Sequence, residues 1–96
     1  MLGGSGEQGL LTSACPQMLQ HYDLPGGAAA GMADAKMPDA QSGYEKGSTL
    51  VVAGLSGLNM VYEAAGMHAS LLGFCLDSLI IDNDILNVYA VFVVLR

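Results

Sequence analysis

Residues 26–47 read GGAAAGMADAKMPDAQSGYEKG, and the order of events within them decides the architecture. The run from Ala28 to Met32 is small, uncharged and flanked by glycine, which fits a buried strand. A charged stretch follows at once, carrying Asp34, Lys36, Asp39, Glu45 and Lys46 in a chain that is only 12% charged. Pro38 suits a first helical turn, where its missing N–H leaves no bond unmade. Tyr44, Val51, Leu55 and Leu58 then mark one face of a helix that Gly57 helps to end. The charged stretch is therefore predicted to be a βα loop, leaving the carboxyl end of a strand and entering a helix.

The same alternation continues on both sides. Upstream, Ser5 stands three residues before Gln8, a capping-box spacing that predicts a helix start. Leu11, Ala14, Cys15 and Met18 share the apolar face of that helix, and Pro16 conflicts with it, costing about 3 kcal/mol unless the helix kinks. YDLPGG, residues 22–27, breaks it. Downstream, NMVYE at 59–63 reads as a second strand with AAGMH as its exit loop. Leu72, Cys75, Leu76, Leu79 and Ile80 supply the stripe of a third helix, with Asp77 and Asp84 off that face. The predicted fold is α/β, helix–strand–helix–strand–helix, with parallel strands and right-handed crossovers. Val88, Tyr89, Val91, Phe92, Val93 and Val94 favour extended structure, so the tail is expected to be strand or irregular.

Composition excludes several classes. Ninety-six residues make one small domain, which buries only about 60–65% of its unfolded surface. Three basic against nine acidic residues, net charge −6, leave no basic patch for nucleic acid or an anionic membrane. Cys15 and Cys75 form no CxxC, so no zinc or redox motif is indicated and each is expected to be a buried free thiol. The first residues lack the basic region of a signal peptide, and VYAVFVVL falls far short of the roughly 20 residues of a spanning helix. The expectation is a soluble, cytoplasmic chain.

Few short motifs carry chemistry. GGSGEQG lacks the GK[ST] of a phosphate loop, so capping is its expected role. GLSGL at 54–58 departs from the nucleophile elbow, with Leu58 in place of the last glycine and Ser56 at a helix end. Carboxylates near a helix start complement its dipole, which accounts for Asp39 but not for the cation Lys36. Lys36 and Asp34 are therefore candidate site residues. His68, five residues after Glu63 in a strand-exit loop, is either a structural histidine or a hydrogen-bonding and proton-transfer group. Both loops lie at the strand ends where parallel α/β folds carry their chemistry.

GGSGEQGLLTSACPQM, YDLPGGAAAGMADAKMPDAQSGYEKG and GLNMVYEAAGMHASLLGFCLDSLIIDND together resemble an internal part of the trimethylamine methyltransferase family, from about Gly3 to Leu86. The resemblance implies a sector of a TIM (β/α)8 barrel, a fold that takes about 250 residues when whole. It also implies methyl transfer from trimethylamine, or a quaternary amine such as glycine betaine, to a corrinoid (cobalamin) carried by a separate partner protein. No cofactor or metal is then bound by this chain directly. The trimethylamine-specific branch uses pyrrolysine, and no nonstandard letter occurs here. Residues 1–86 become a partial methyltransferase segment and 87–96 a divergent apolar tail, as in a frameshifted gene remnant inactive alone.

Within that resemblance a methylated amine calls for an acidic or aromatic wall. Asp34, Glu63 and Tyr62 are the candidates, with Met67 a further substrate contact and Lys36 and His68 orienting them or binding a substrate carboxylate. The four catalytic candidates are thus Asp34, Lys36, Glu63 and His68. The alternative, from a different class, is a small non-enzymatic α/β protein that self-associates.

Overall fold

A computed structural model describes residues 4–95, with side chains through residue 91. Three helices, α1 (Gly6–His21), α2 (Ala40–Leu55) and α3 (Leu76–Leu95), alternate with strands β1 (Gly27–Ala29) and β2 (Met60–Tyr62). A further pair, β3 (Met67–His68) and β4 (Gly73–Phe74), lies between β2 and α3. β1 and β2 pair in parallel, with Gly27 opposite Met60 and Ala29 opposite Tyr62. A parallel pair needs a long crossover, and α2 supplies it. β3 and β4 pair antiparallel in a separate sheet, so the fold is mixed α/β and not purely parallel.

Local chemistry sets the helix boundaries. Ser5 N-caps α1, its hydroxyl accepting from the Gln8 amide at 3.3 Å. Asp39 N-caps α2, its Oδ1 accepting from the Ser42 amide at 2.9 Å. Pro38 stands just before that cap instead of inside the first turn. Gly57, at φ 86°, follows the C-cap Ser56 in the left-handed conformation that ends helices. α1 runs through Pro16, whose ring is buried.

The helices bury faces other than those their apolar spacing marks. In α1, Leu11 and Met18 are 46% and 55% exposed, and Cys15 is also exposed, correcting its expected burial. Thr12 and Pro16 face inward instead. In α2, Tyr44 and Leu55 point out while Ser42, Glu45, Lys46, Thr49 and Ala53 are buried. In α3, Leu76, Leu79 and Ile80 are exposed and Ser78 and Asp82 are buried; Leu72 precedes the helix and is 90% exposed. The reason lies in what α2 meets. It packs between α1 and α3 and against the chain after β1, where Ala30, Met32, Ala33 and Ala35 are buried. Small residues there let polar side chains of α2 reach backbone groups directly.

The apolar core is correspondingly thin. Ala30, Leu50 and Ala53 form it, with Val61, Ile85, Leu86 and Tyr89 packed around them. The last three recur at helical spacing, and they keep α3 helical through Leu95, correcting the extended structure expected for the tail. An established helix propagates at little cost, so its continuation outweighs valine's β preference. Phe92, Val93 and Val94 are described by backbone alone, and Met1 to Gly3 and Arg96 lie outside the described residues. Among the described residues no helix is long and apolar enough to cross a membrane.

Gly66 sits at φ 82°, and a Cβ there would collide with the Phe74 ring. Gly43 lies inside α2 with nothing within 4 Å of such a Cβ. Gly66→Ala should therefore destabilise the chain by about 1–3 kcal/mol, whereas Gly43→Ala should stabilise it by about 0.5–1 kcal/mol. Urea unfolding of the two variants checks both signs.

Candidate functional site

Because β1 and β2 are parallel and adjacent, the segments that follow them emerge at the same end. Residues 30–39 leave β1 and residues 63–75 leave β2, and backbone bonds join the two. The Ala33 amide donates to the Met67 carbonyl at 3.3 Å, Ala69 to Ala35 at 3.0 Å, and Ser70 to Ala33 at 3.3 Å. The second loop turns sharply here, with positive φ at Ala69 (50°), Ser70 (54°) and Leu71 (75°). Non-glycine residues adopt this conformation at a cost of order 1–3 kcal/mol each, so the cross-loop bonds are needed to hold it.

Asp34 is a fastener at this junction. Its Oδ1 accepts from the Ser70 hydroxyl at 2.8 Å and from the Gly4 amide at 3.0 Å. Its own amide donates to Glu45 Oε2 at 2.5 Å, and the other Glu45 oxygen accepts from Gln41 Nε2 at 2.6 Å. Lys36 is exposed on the first loop. Glu63 is exposed just beyond β2, at φ 59°. Met67 is half-buried and joins the junction through its carbonyl.

Tyr62 goes elsewhere. A Cβ on Gly27 would meet its ring, and with Pro25, Gly26, Asn59 and Met60 it lines a cavity of about 310 Å3 at the amino-terminal end of the strands. The structure thus joins Asp34, Met67 and His68 at the loop junction, places Lys36 and Glu63 on the two loops, and sends the Tyr62 ring the other way.

His68 is 3% exposed. Its Nδ1 lies 3.1 Å from the Ala35 carbonyl oxygen, and its Nε2 faces the Ser78 hydroxyl, with Lys46 Nζ at 3.5 Å. Lys46 in turn donates to Asp82 Oδ2 at 2.6 Å, both side chains being 1% exposed. The same Oδ2 accepts from the Gly66 amide at 2.6 Å. Oδ1 of Asp82 is buried with no hydrogen-bond partner among the described residues. One desolvated ion pair thereby ties α2 to α3 and, through His68 and Gly66, ties both helices to the loops.

Lys46, Ser78 and Asp82 are not among the residues the sequence singles out. Lys46 was visible as a charge in the opening stretch, on the α2 face shared by Ser42, Thr49 and Ala53. Its partner lies 36 residues away, beyond any local pattern. Among the described residues no group of three or more His, Cys, Asp or Glu is placed to hold a metal ion.

Two consecutive βα units with joined exit loops, and a short antiparallel pair between the second strand and its helix, make this a mixed α/β segment. The chain belongs to the trimethylamine methyltransferase family, whose profile, described as Trimethylamine methyltransferase (MTTB), matches residues 1–94. It is 42% identical over 84 residues to trimethylamine methyltransferase MttB of Methanosarcina thermophila, covering 88% of this chain. To MttB of Methanosarcina barkeri strain Fusaro it is 43% identical, again over 88% of this chain. To the glycine betaine methyltransferase of Desulfitobacterium hafniense strain Y51 it is 37% identical over 82 residues, 85% of this chain. The chain spans 17% of the length of each of these relatives.

Removing one partner of a buried ion pair leaves the other charge uncompensated and typically costs about 3–5 kcal/mol. Asp82→Ala should show a loss of this size in urea unfolding. Asp84→Ala, exposed in the interior of the same helix, should stay within about 0.5 kcal/mol of the unaltered chain.

Proposed function

We propose that this chain is a sector of a (β/α)8 methyltransferase barrel that presents part of the binding site for a methylated amine, trimethylamine or a quaternary amine such as glycine betaine. The observation that carries the reading is the parallel β1–β2 register with its two exit loops bonded to each other, in a chain of this family. In this reading the amine lies over the loop junction, with the carboxylates of Asp34 and Glu63 toward its positive charge and Lys36 beside them, able to meet a substrate carboxylate. The methyl group passes to a corrinoid carried by a separate protein.

The charge balance constrains what these residues do. As the carbon–nitrogen bond breaks, its electron pair stays on nitrogen and the positive charge there fades. Carboxylates therefore hold the substrate better than the transition state, so their attraction tightens substrate binding and does not raise kcat. The gain left to this rim is orientation, holding the methyl toward the corrinoid in a near-attack geometry. A junction of short backbone bonds suits that task.

The test is a chimera in which a full-length relative carries residues 4–86 of this chain in place of its own matching segment. Methyl transfer should persist, and Glu63→Gln or Asp34→Asn in the chimera should raise KM for the amine by at least about tenfold, the value of one charge-assisted contact, without a matching fall in kcat. Unchanged kinetics in both variants would remove the loop junction from the site. Residues 1–96 alone should form no methyl-corrinoid from either amine with a reduced corrinoid partner; formation above background would overturn the sector reading.

A second reading, self-association, draws on the exposed apolar faces of the helices and on β1 and β2, which among the described residues pair with each other alone and leave two open edges. Sedimentation of the isolated chain at micromolar concentration should show assemblies. A stable monomer that unfolds cooperatively would contradict it.

A further inference from the structure

Lys46, His68, Ser78 and Asp82 form a cluster that is almost wholly buried, so its members act chiefly through what they hold. What it does hold is backbone. A carbonyl oxygen only accepts, so the 3.1 Å contact to Ala35 requires the proton of His68 on Nδ1. Nε2 then offers its lone pair to the Ser78 hydroxyl, with the Lys46 ammonium 3.5 Å away on the same side. Asp82 Oδ2 neutralises that ammonium and grips the Gly66 amide, both at 2.6 Å. Ala35 belongs to the first exit loop and Gly66 to the second. These contacts between elements fix the two loops relative to α2 and α3 from beneath.

We propose that Lys46, His68 and Asp82 are positioning residues of the loop junction, acting on the amine site through the Ala35 carbonyl and the Gly66 amide that they hold. This rests on the reading of the junction as the amine-facing rim, but the arrangement itself can be tested without any amine. A merely structural ion pair is replaceable: apolar residues of similar shape commonly restore stability when a buried pair is removed whole. A positioning pair is not replaceable in this way, because an apolar side chain cannot accept from Gly66.

The discriminating experiment compares the unaltered chain with Asp82→Leu and with Lys46→Met/Asp82→Leu by amide hydrogen exchange and by 15N spectra of the imidazole. In the unaltered chain His68 should show a protonated Nδ1 and an unprotonated Nε2; the reverse pattern would overturn the proposal without any variant having to fold. The double variant should regain most of the stability that Asp82→Leu loses. Its Gly66, Ala69 and Ser70 amides should nevertheless exchange at least about tenfold faster than in the unaltered chain, the effect of losing one charge-assisted bond, with α1 and α2 amides unchanged. Full recovery of loop protection along with stability would reduce the pair to a structural contact. Failure of the chimera to bind amine with these results intact would sink the site reading and leave the positioning arrangement standing.

Discussion

The contact on which the rest depends is the ion pair between Lys46 and Asp82, closed at 2.6 Å and sealed from water. A thin core of alanine and leucine gives little apolar area to hold three helices together, so polar contacts carry an unusual share of the tertiary arrangement. The pair is costly to desolvate, and one carboxylate oxygen is left without a partner among the described residues. Such a feature is a weak source of stability. The arrangement of α2 and α3 brings Lys46, Asp82, His68 and Gly66 together.

Much of the order of elements is legible in the sequence, and the reasons are local. Glycine-flanked runs of small residues mark β1, Asp39 announces the start of α2, Gly57 its end, and the helix-length spacing between strands dictates a parallel pair. The β3–β4 pair is not legible, since two-residue strands carry no periodicity. Helix faces mislead for a different reason. Apolar residues such as Leu11, Met18, Leu76 and Ile80 recur at helical spacing yet stay exposed, while Thr12, Lys46 and Asp82 turn inward. Spacing shows that a helix has an apolar side; which side meets which neighbour depends on chain far away in sequence.

The candidate site divides along the same line. Charges near strand ends point to the two exit loops, and the loops do meet, with Asp34 and His68 at their junction. The roles differ from those charge alone suggests. Asp34 and His68 spend their hydrogen bonds on other parts of the chain, Tyr62 runs back along β1, and the crowding of charge in residues 34–47 resolves into a cap at Asp39, a backbone brace at Glu45 and the buried Lys46. Lys36, Asp39 and Glu63 are the exposed charged groups of the two loops, and of these Asp39 is engaged as the cap of α2. Family membership and a length of 17% of the matched relatives agree with helix faces that are apolar and uncovered.

Two adjacent parallel strands deliver their exit loops to one braced junction. Nuclear Overhauser contacts across the chain test it most directly. The spectra should show the parallel ladder pattern between residues 27–29 and 60–62, together with contacts from the Ala69 amide to Ala35 and from the Ser70 amide to Ala33. An antiparallel pattern between the strands, or exit loops without mutual contacts in a folded chain, would contradict it.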